Sequence, residues 1–397
     1  MKSPNPGILA INGGSSSIKF ALYQIDEPLK QGLYGKVDRI GLSGTTLTFN
    51  DLTQNQKGST AIKALDHQSA ANVLVDWLEE RIGFTSIKAI GHRVVYGTKS
   101  TEPCRITEEL LDELHLTSQY DPDHIPREVE LIKVFRKCHP EIPQVACFDT
   151  SFHRTMPRVA KLLPIPRRFE AKGIQRYGFH GLSYAYLVEE LARIAGLKAA
   201  QGRLILAHLG NGASLAAVRD GHSIETSMGF TPVSGIPMGT RPGDLDPGVT
   251  WFMMLAEKMT LKQFNDLINH ESGLLGVSET SSDMRDLLEH EDSDVRAAEA
   301  VALFCYQVKK WVGAFAAALG GVDTVVFAGG IGENAPLIRT RVCDGLQFLG
   351  VNLDEKRNIA NAGVISADSS KVSVRVIHTD EELMIATIIC NVLGFTS

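Results

Sequence analysis

Apolar residues along the chain recur in short runs that are separated by glycine-rich turns and by longer amphipathic segments. The runs GILAIN at 7–12 and IKFALYQI at 18–25 flank the turn GGSSS, and a third run covers 31–38. Short apolar runs bounded by glycine and serine are typical of strands. We therefore predict an opening of three strands, followed by a helix over 68–82 whose apolar residues keep one stripe.

The rest of the pattern alternates between strands and helices. Predicted strands cover 87–95, 143–148, 203–208, 215–219, 324–330 and 371–377, and predicted helices cover 107–116, 126–138, 293–319 and 380–393. Strand-rich openings followed by helix–strand alternation favour an α/β fold of two lobes with mixed sheets.

A weak internal repeat supports two lobes. The unit of strand, glycine turn and strand recurs after a shift of 198 positions, which places Gly14 on Gly212, Ser16 on Ser214 and Phe20 on Val218. The length of 397 residues is also comfortable for two domains.

The charge balance limits the classes of partner. The net charge is -6, with 22% charged and 44% hydrophobic residues, so the surface favours neither nucleic acid nor an anionic membrane. The N-terminal MKSPNPG is unlike a signal peptide, and six cysteines without paired metal spacing are typical of reduced thiols. We expect a cytoplasmic protein whose anion sites are local.

Three glycine turns follow apolar runs: NGGSSS at 12–17, HLGNGAS at 208–214 and AGGIGEN at 328–334. Glycine lets backbone N–H groups approach a phosphate closely. One such turn is more often a tight turn alone, but three in the same context favour a phosphate site. None is a Walker A loop, because no Gly-Lys-Ser/Thr follows.

Two arginines lie in surroundings that demand an anionic partner. Arg93 lies in the apolar run IGHRVVYG and Arg241 in the glycine-rich MGTRPGDLDPG. For each alone, an internal salt bridge is as good an interpretation as a ligand site. The planar fork of arginine suits both carboxylates and phosphates.

Four further segments carry candidate polar groups. Asp149 follows a predicted strand in CFDTSFH, where it can orient a nucleophile, bind magnesium or cap a helix. His180 lies in QRYGFHG, and a lone histidine is more often structural. Asp283 and Arg285 in SSDMRDL fit a helix cap and first turn, and the carboxylates of HTDEEL near the C-terminus fit a cap or a metal site.

Taken together, these motifs resemble those of the acetate kinase family. INGGSSSIKF, GHRVVYG, FDTSFH, YGFHGLSY, HLGNGAS, SMGFTPVSG, MGTRPGDLDPG, SSDMRDL, GGIGEN and TDEEL follow one another in the family's order, from about residue 8 to about 390. The resemblance implies an actin-like ATPase (ribonuclease H-like) architecture, with two duplicated lobes of five-stranded-type mixed sheets flanked by helices. It also implies an active-site cleft between the lobes and a homodimer.

The expected lobes are 1–150 plus 385–397, on the carboxylate and phosphate side, and 151–384, for nucleotide binding and dimerisation. Arg93 resembles the arginine that binds the substrate carboxylate, and Asp149 resembles the catalytic acid. His180 and Arg241 resemble the groups that stabilise the transition state. The apolar wall of the acyl pocket is implied to be Val95, Phe179 and Pro232.

The resemblance also implies ATP/ADP as co-substrate and Mg²⁺, replaceable by Mn²⁺, near Asn12 and Glu381. The phosphate end of the nucleotide site is implied to comprise Ser15, Ser17 and Lys19, with a covering loop of His208, Leu209, Gly210, Asn211 and Gly212. The adenosine side is implied to comprise Asp283, Met284 and Arg285 together with Gly330, Ile331, Gly332, Glu333 and Asn334.

One stretch departs from the family pattern. Where the family usually has Leu-His before Asn-Pro, this chain has Gln119 and Tyr120 before Asp-Pro, and His124 is out of register. Pro242, where serine is common, is a milder change. The departure leaves open which acyl chain is preferred and which side chains surround the transferring phosphate.

The function that the resemblance implies is reversible transfer of phosphate from ATP to acetate. A carboxylate with a pKa near that of glutamate needs no general base at neutral pH, so we interpret Asp149 chiefly as an organiser of magnesium and its waters. A kinase of propionate or butyrate is the enzyme alternative. A sugar kinase would need a base and no Arg93, and an ATP-driven binding module of the chaperone or actin kind would not use Arg93 either.

Overall fold

A computed structural model describes residues 6–14, 16–97, 100–118 and 120–395. The chain forms two compact units, Met1–Ser151 with Asp380–Ser397, and Phe152–Thr379. The sequence placed the return of the chain to the first unit at 385, whereas it occurs at Asp380. Asp380 and Glu381 belong to the first unit through their hydrogen bonds: Asp380 accepts from the Tyr23 hydroxyl (3.3 Å) and Glu381 from Asn12 Nδ2 (2.8 Å).

The secondary structure up to residue 151 agrees closely with the predicted pattern. It consists of β1 (Gly7–Gly13), β2 (Ser17–Gln24), β3 (Lys30–Asp38), β4 (Thr46–Asp51), β5 (Gln56–Ala61), α1 (His67–Ile82), β6 (Ile87–Val94), β7 (Cys104–Arg105), α2 (Glu108–Thr117), α3 (Ile125–Cys138) and β8 (Gln144–Phe148), before a 3₁₀ helix over Asp149–Thr155.

Helices are more numerous in the remainder of the chain, and several short ones were not predicted. The elements are α4 (Arg158–Lys161), α5 (Gly181–Ala195), α6 (Leu197–Ala200), β9 (Leu204–Leu209), β10 (Ala213–Arg219), β11 (His222–Thr226), α7 (Pro247–Leu255), α8 (Leu261–Asp266), α9 (Gly273–Ser278), α10 (Met284–His290), α11 (Val295–Leu319), β12 (Thr324–Ala328), α12 (Gly329–Asn334), α13 (Pro336–Cys343), α14 (Glu355–Ile359), β13 (Ser373–Val376) and α15 (Glu381–Leu393), with a π-helical turn at Leu267–Glu271 and 3₁₀ turns at Glu170–Lys172 and Gln347–Leu349.

The sheet of the first unit has the order β5-β4-β3-β2-β1-β6-β8-β7. Strand β1 is antiparallel to β2 and parallel to β6, which is in turn parallel to β8. The carboxyl ends of β1, β6 and β8 therefore lie along one edge of the sheet. One face of the sheet is covered by α1, whose Leu74, Val75 and Leu78 are buried against it, and the Trp77 ring lies 5.6 Å from that of Phe20.

The sheet of the second unit has the order β11-β10-β9-β12-β13. Strands β9 and β10 are antiparallel, whereas β9, β12 and β13 are parallel. These directions and this order match β3-β2-β1-β6-β8 of the first unit, in agreement with the internal repeat. The predicted α/β class with mixed sheets flanked by helices is confirmed.

The first sheet extends beyond its five-stranded core, β3-β2-β1-β6-β8. It has eight strands, because the polar hairpin β4–β5 extends one edge and the two-residue β7 extends the other. The hairpin joins the sheet through β4, which pairs with β3, and the buried Leu47 of β4 packs into the core. Among the described residues, no helix is long and apolar enough to cross a bilayer.

Candidate active site

Three predicted site residues of the first unit lie at the shared edge of its sheet. Asn12 is near the end of β1, Arg93 is near the end of β6, and Asp149 follows β8 directly. The register pairs Ile11 with His92 and Arg93 with Cys147, so parallel neighbours place these three side chains close together. Asn12 and Asp149 are buried at 4% and 0% exposure.

Arg93 and Asp149 form a two-pronged ion pair. The Arg93 Nη2 donates to Asp149 Oδ2 at 2.6 Å, its Nε lies 3.1 and 3.2 Å from the two carboxylate oxygens, and its Nη1 donates to Asn12 Oδ1 at 3.3 Å. Burial lowers the pKa of Arg93, but the carboxylates of Asp149, Glu381 and Glu128 together outweigh it, Asp149 most of all, and the net shift is upward. A guanidinium has five N–H donors, and these contacts occupy three of them. The internal salt bridge is therefore present, and the remaining donors leave room for a second carboxylate.

Asn12 connects this pair to the start of α15. Its Nδ2 donates to Glu381 Oε2 and to Glu382 Oε1, both at 2.8 Å. Burial raises the pKa of Glu382, the Lys19 ammonium opposes that rise, and the neighbouring Glu381 carboxylate adds to it. Two carboxylates crowded on one amide are costly without a cation nearby. The sequence offered the carboxylates of HTDEEL, Glu382 among them, as a cap or a metal site, and the family resemblance singled out Glu381.

The oxygen donors around Asn12 fit Mg²⁺ or Mn²⁺ in kind. Carboxylate oxygens are the ligands that these ions prefer, and Mg²⁺ is commonly held by one or two carboxylates together with substrate phosphates and water. Among residues 6–14, 16–97, 100–118 and 120–395, no group of three or more histidine, cysteine, aspartate or glutamate side chains is arranged to hold a metal. The assignment of Asn12 and Glu381 to a metal stays a prediction.

Glu128 of α3 supports the strand end beside Arg93. Both of its carboxylate oxygens lie 3.1 Å from the Val95 N–H, which donates to them. Burial raises the pKa of Glu128 to about 8, against the opposing effect of Arg93. Glu128 was not predicted from the sequence, although a signal was present: it falls on the helical stripe of Ile125, Val129 and Ile132, where an apolar side chain is the rule.

The first glycine turn closes on itself. The Gly14 N–H donates to the Ser17 carbonyl at 2.7 Å, and the Gly14 carbonyl accepts from His67 Nε2 at 3.0 Å. Lys19 is exposed on β2. Ser15 and Gln119 lie outside the described residues. The Tyr120 ring lies 6.2 Å from that of Tyr96.

In the second unit, His180 is held in a fixed orientation at the start of α5. Its backbone has the left-handed φ of 63°, and its Nδ1 lies 2.8 Å from Ser214 Oγ. The His180 ring stacks on that of His208, with centroids 4.5 Å apart, and His208 Nδ1 lies 2.8 Å from Ser183 Oγ. The hydrogen bond to Ser214 uses Nδ1, and Nε2 is the ring nitrogen nearer to Gly212.

Arg241 and His180 both approach the glycine loop at Gly212. A Cβ atom added to Gly212 would lie 3.1 Å from Arg241 Nη2 and 3.3 Å from His180 Nε2. The Arg241 guanidinium is anchored by Nη1, which donates to the Pro232 carbonyl at 2.6 Å. The structure thus brings together a glycine loop, a guanidinium and an imidazole, which is a suitable arrangement for an oxyanion.

The covering loop is itself packed closely. Asn211 accepts at its carbonyl from the Gly239 N–H (3.0 Å), and a Cβ at position 239 would lie 2.2 Å from Asn211 Oδ1. A side chain at position 239 would therefore displace the Asn211 amide. His208 and Leu209 are the last residues of β9, and Gly210 follows them. Leu209 is fully buried, so it anchors the start of the loop in the core.

The predicted adenosine-side segment SSDMRDL begins a helix. Asp283 caps α10 by accepting from the Arg285 N–H at 2.9 Å, and the Arg285 Nη2 donates back to it at 2.6 Å. The Arg285 side chain is 89% exposed, whereas Met284 is buried. The capping interpretation is confirmed, and the nucleotide contact stays a prediction.

The third glycine turn differs from the prediction, because Gly329–Asn334 is the short helix α12 and the preceding strand ends at Ala328. Glu333 explains the change: its Oε1 accepts from the N–H groups of Gly329 (2.8 Å) and Thr379 (3.1 Å), closing the turn. Glu333 and Gly332 point inward, while Gly330 and Asn334 are exposed and Ile331 is half-buried. Gly330, Ile331 and Asn334 are thus the members able to meet a ligand.

The residues predicted to line the acyl pocket are all buried. Val95 is 3% exposed in the first unit, and Phe179 is 1% exposed in the second, where Pro232 is also buried. The Phe179 carbonyl accepts from His153 Nε2 at 3.2 Å.

A sequence model of the Acetokinase family matches residues 7–387. The chain belongs to the acetokinase family. It is 45% identical over 388 residues to an acetate kinase of Rhodopseudomonas palustris, and 43% identical over 387 residues to a propionate kinase of Citrobacter rodentium. The first alignment covers 96% of each chain, and the second covers 96% of this chain and 95% of the relative.

A solved structure supports the fold assignment. The crystal structure of Porphyromonas gingivalis acetate kinase is 38% identical and superposes with a TM-score of 0.86, covering 98% of this chain and 100% of that one. The acetokinase architecture predicted from the ordered motifs is therefore confirmed.

Proposed function

We propose that this protein transfers the terminal phosphoryl group of ATP to the carboxylate of acetate, giving acetyl phosphate and ADP. The observation that carries the proposal is the state of Asp149. This carboxylate, at the edge where the acceptor would bind, is fully buried and held by Arg93 through a two-pronged ion pair.

Such a carboxylate is a poor general base, because taking a proton would remove half of a buried ion pair. A hydroxyl acceptor needs a base to remove its proton, whereas acetate is already ionised at neutral pH. The arrangement is thus suited to an anionic acceptor. Among acceptors, a small carboxylate also matches the unused donors of Arg93.

In the reaction, one acetate oxygen attacks the γ-phosphorus, and the bond from that phosphorus to the β–γ bridging oxygen breaks. Both electrons of that bond leave with ADP, so no proton is transferred between the reactants. The main difficulty is repulsion between two anions. We assign Arg93 to the acetate, and Arg241 and His180 to the phosphoryl oxygens, so that positioning and charge stabilisation supply most of the catalysis.

The proposal includes ATP or ADP as co-substrate and a divalent cation. Asn12 and Glu381, assisted by Glu382, would hold Mg²⁺, which neutralises phosphate charge when bound. Gly330, Ile331 and Asn334, with Asp283, Met284 and Arg285, are the proposed adenosine side. A cytoplasmic homodimer, with dimerisation through the second unit, is proposed from the family resemblance.

The test is a hydroxylamine trap. Protein, ATP and Mg²⁺ are incubated with hydroxylamine, with and without acetate, and hydroxamate is measured. We expect acetyl hydroxamate only when acetate is present, because only an acyl phosphate reacts in this way. ATP consumption without hydroxamate would instead favour a nucleotide-driven binding module or another acceptor.

Propionate is the second candidate acceptor, since one similar relative is a propionate kinase. Each buried methylene contributes about 0.8 kcal/mol in an apolar site, but the resemblance implies that Gln119 of this chain takes the position of a leucine of the acyl pocket. We expect acetate to be competent, propionate to have a lower kcat/KM and butyrate to be poor. Gln119→Leu tests the reasoning, because unchanged ratios would remove Gln119 from the pocket.

A further inference from the structure

Arg339, on α13, is a charged side chain that none of the functional assignments above uses. It is the largest fully buried side chain among the described residues, at 0% exposure. Burial lowers its pKa to about 10. A buried guanidinium is costly unless its donors are matched, so its hydrogen bonds indicate what it does.

The guanidinium makes five hydrogen bonds, and every acceptor is an amide oxygen. Nη1 donates to the carbonyls of Gly332 (2.8 Å) and Glu333 (3.0 Å). Nε and Nη2 donate to the side-chain oxygen and the carbonyl of Asn358, each at 2.7 Å, and Nη2 also donates to Asn361 Oδ1 at 2.5 Å. All five N–H donors of the group are thus matched.

The first two acceptors show which segment is being fixed. The carbonyls of Gly332 and Glu333 belong to the last turn of α12, where carbonyls have no partner within the helix. A cation at a helix carboxyl end is favourable, and here it also fixes the position of the whole six-residue element. The exposed side of α12 carries Gly330 and Asn334.

The other acceptors tie that turn to the elements behind it. Asn358 of α14 donates through Nδ2 to the Pro336 carbonyl and to Thr340 Oγ1, both at 2.9 Å on α13. Asn361 holds a left-handed φ of 49°. Arg339 is therefore the centre of a network that joins α12, α13 and α14.

We propose that Arg339 is a positioning residue for the nucleotide: it sets the place of the Gly330–Asn334 turn without touching the ligand. This inference rests on the proposed function, in which that turn contacts the adenosine side. A lysine cannot replace it, because an ammonium has three donors and no planar fork.

The test compares Arg339→Met and Arg339→Lys with Arg341→Ala. Arg341 lies on the same helix and pairs with Glu291 at 2.7 and 2.8 Å, so it controls for the loss of an arginine ion pair from α13. The readouts are the Kd for ADP by calorimetry and the KM values for ATP and acetate. We expect both Arg339 variants to raise the ADP Kd and the ATP KM at least about tenfold, which is the effect of one lost charge-assisted hydrogen bond. The KM for acetate should stay within about twofold, and Arg341→Ala should leave all three constants unchanged.

If the Arg339 variants do not fold, the proposal can still be tested with a variant that removes one hydrogen-bond acceptor of Arg339. Asn361→Gly keeps the left-handed backbone but deletes one hydrogen bond, and it should raise the ADP Kd by a smaller factor. A lowered Tm with an unchanged ADP Kd would overturn the proposal and leave Arg339 a purely structural residue. An equal rise in both KM values would also overturn it. Because ADP binding is measured without turnover, failure of the acetate reaction is distinguishable from failure of this inference.

Discussion

Gly212→Ala probes the point where Arg241 and His180 approach the glycine loop. The new Cβ would lie 3.1 Å from Arg241 Nη2 and 3.3 Å from His180 Nε2, so each group must move by a few tenths of an ångström. Neither moves freely, because Arg241 is anchored to the Pro232 carbonyl and His180 to Ser214. The backbone at Gly212 has no positive φ, so the substitution adds no strain there.

The expected effect on catalysis follows from that displacement. A misplacement of about 1 Å can cost about 10²-fold in rate. Shifts of a few tenths of an ångström in Arg241 and His180, together with the added methyl group between them, should therefore lower kcat roughly tenfold. Stability should change by no more than about 1 kcal/mol, since glycine-to-alanine changes of this kind act mainly on the unfolded chain. The assay is the hydroxamate rate at saturating substrates, with thermal unfolding measured in parallel.

Gly313→Ala is the matched control, because a Cβ there meets nothing within 4 Å on α11. It should leave kcat unchanged and should stabilise the protein by about 0.5–1 kcal/mol. An unchanged kcat in Gly212→Ala would refute the placement of Arg241 and His180 over the transferring phosphate. A fall in kcat accompanied by a large loss of Tm would assign the effect to the fold instead.

Three further predictions test neighbouring parts of the account. Arg241→Ala should lower kcat roughly 10²–10³-fold with little change in the KM for ATP, as loss of one preorganised donor does, and a near-normal kcat would exclude Arg241 from the mechanism. Arg93→Lys should raise the KM for acetate and leave ADP affinity intact, since a lysine ammonium cannot bind the Asp149 carboxylate and acetate in a planar, two-pronged manner. A large loss of ADP affinity would instead mean that Arg93 acts by stabilising the fold. Between pH 4.5 and about 8, Glu128 is protonated in the folded protein but ionised in the unfolded chain, because burial raises its pKa from 4.5 to about 8. The free energy of unfolding should therefore fall as pH rises through that window. Urea titrations at several pH values should show this slope in the wild type and a flatter one in Glu128→Gln, and equal slopes would contradict the assignment.

The metal assignment makes a separate prediction. EDTA should abolish activity and Mg²⁺ should restore it, and Glu382→Gln should raise the Mg²⁺ concentration needed for half-maximal rate, because it removes one of two carboxylates 2.8 Å from Asn12 Nδ2. Full activity in metal-free buffer would rule out the scheme.

The local patterns predicted most of the sheet strands and the long helices, because burial and period are local properties of the sequence. These patterns did not predict which side chains pair: Arg93 required an anionic partner, but that this partner is Asp149 depends on the order of β6 and β8. Glu128 and Glu333 were missed as supports, since whether a carboxylate points inward depends on the backbone N–H groups that it meets. Whether the chosen site residues bind ligand stays a prediction.

In the proposed reaction, the acceptor is a carboxylate that attacks ATP directly. This attack is tested by ³¹P NMR of a mixture of the protein, ATP, Mg²⁺ and acetate labelled with ¹⁸O in both carboxylate oxygens. The account predicts an acetyl phosphate signal that carries the isotope shift of a bridging ¹⁸O, and its loss when Arg241 is replaced by alanine. Inorganic phosphate and ADP without labelled acetyl phosphate would contradict it.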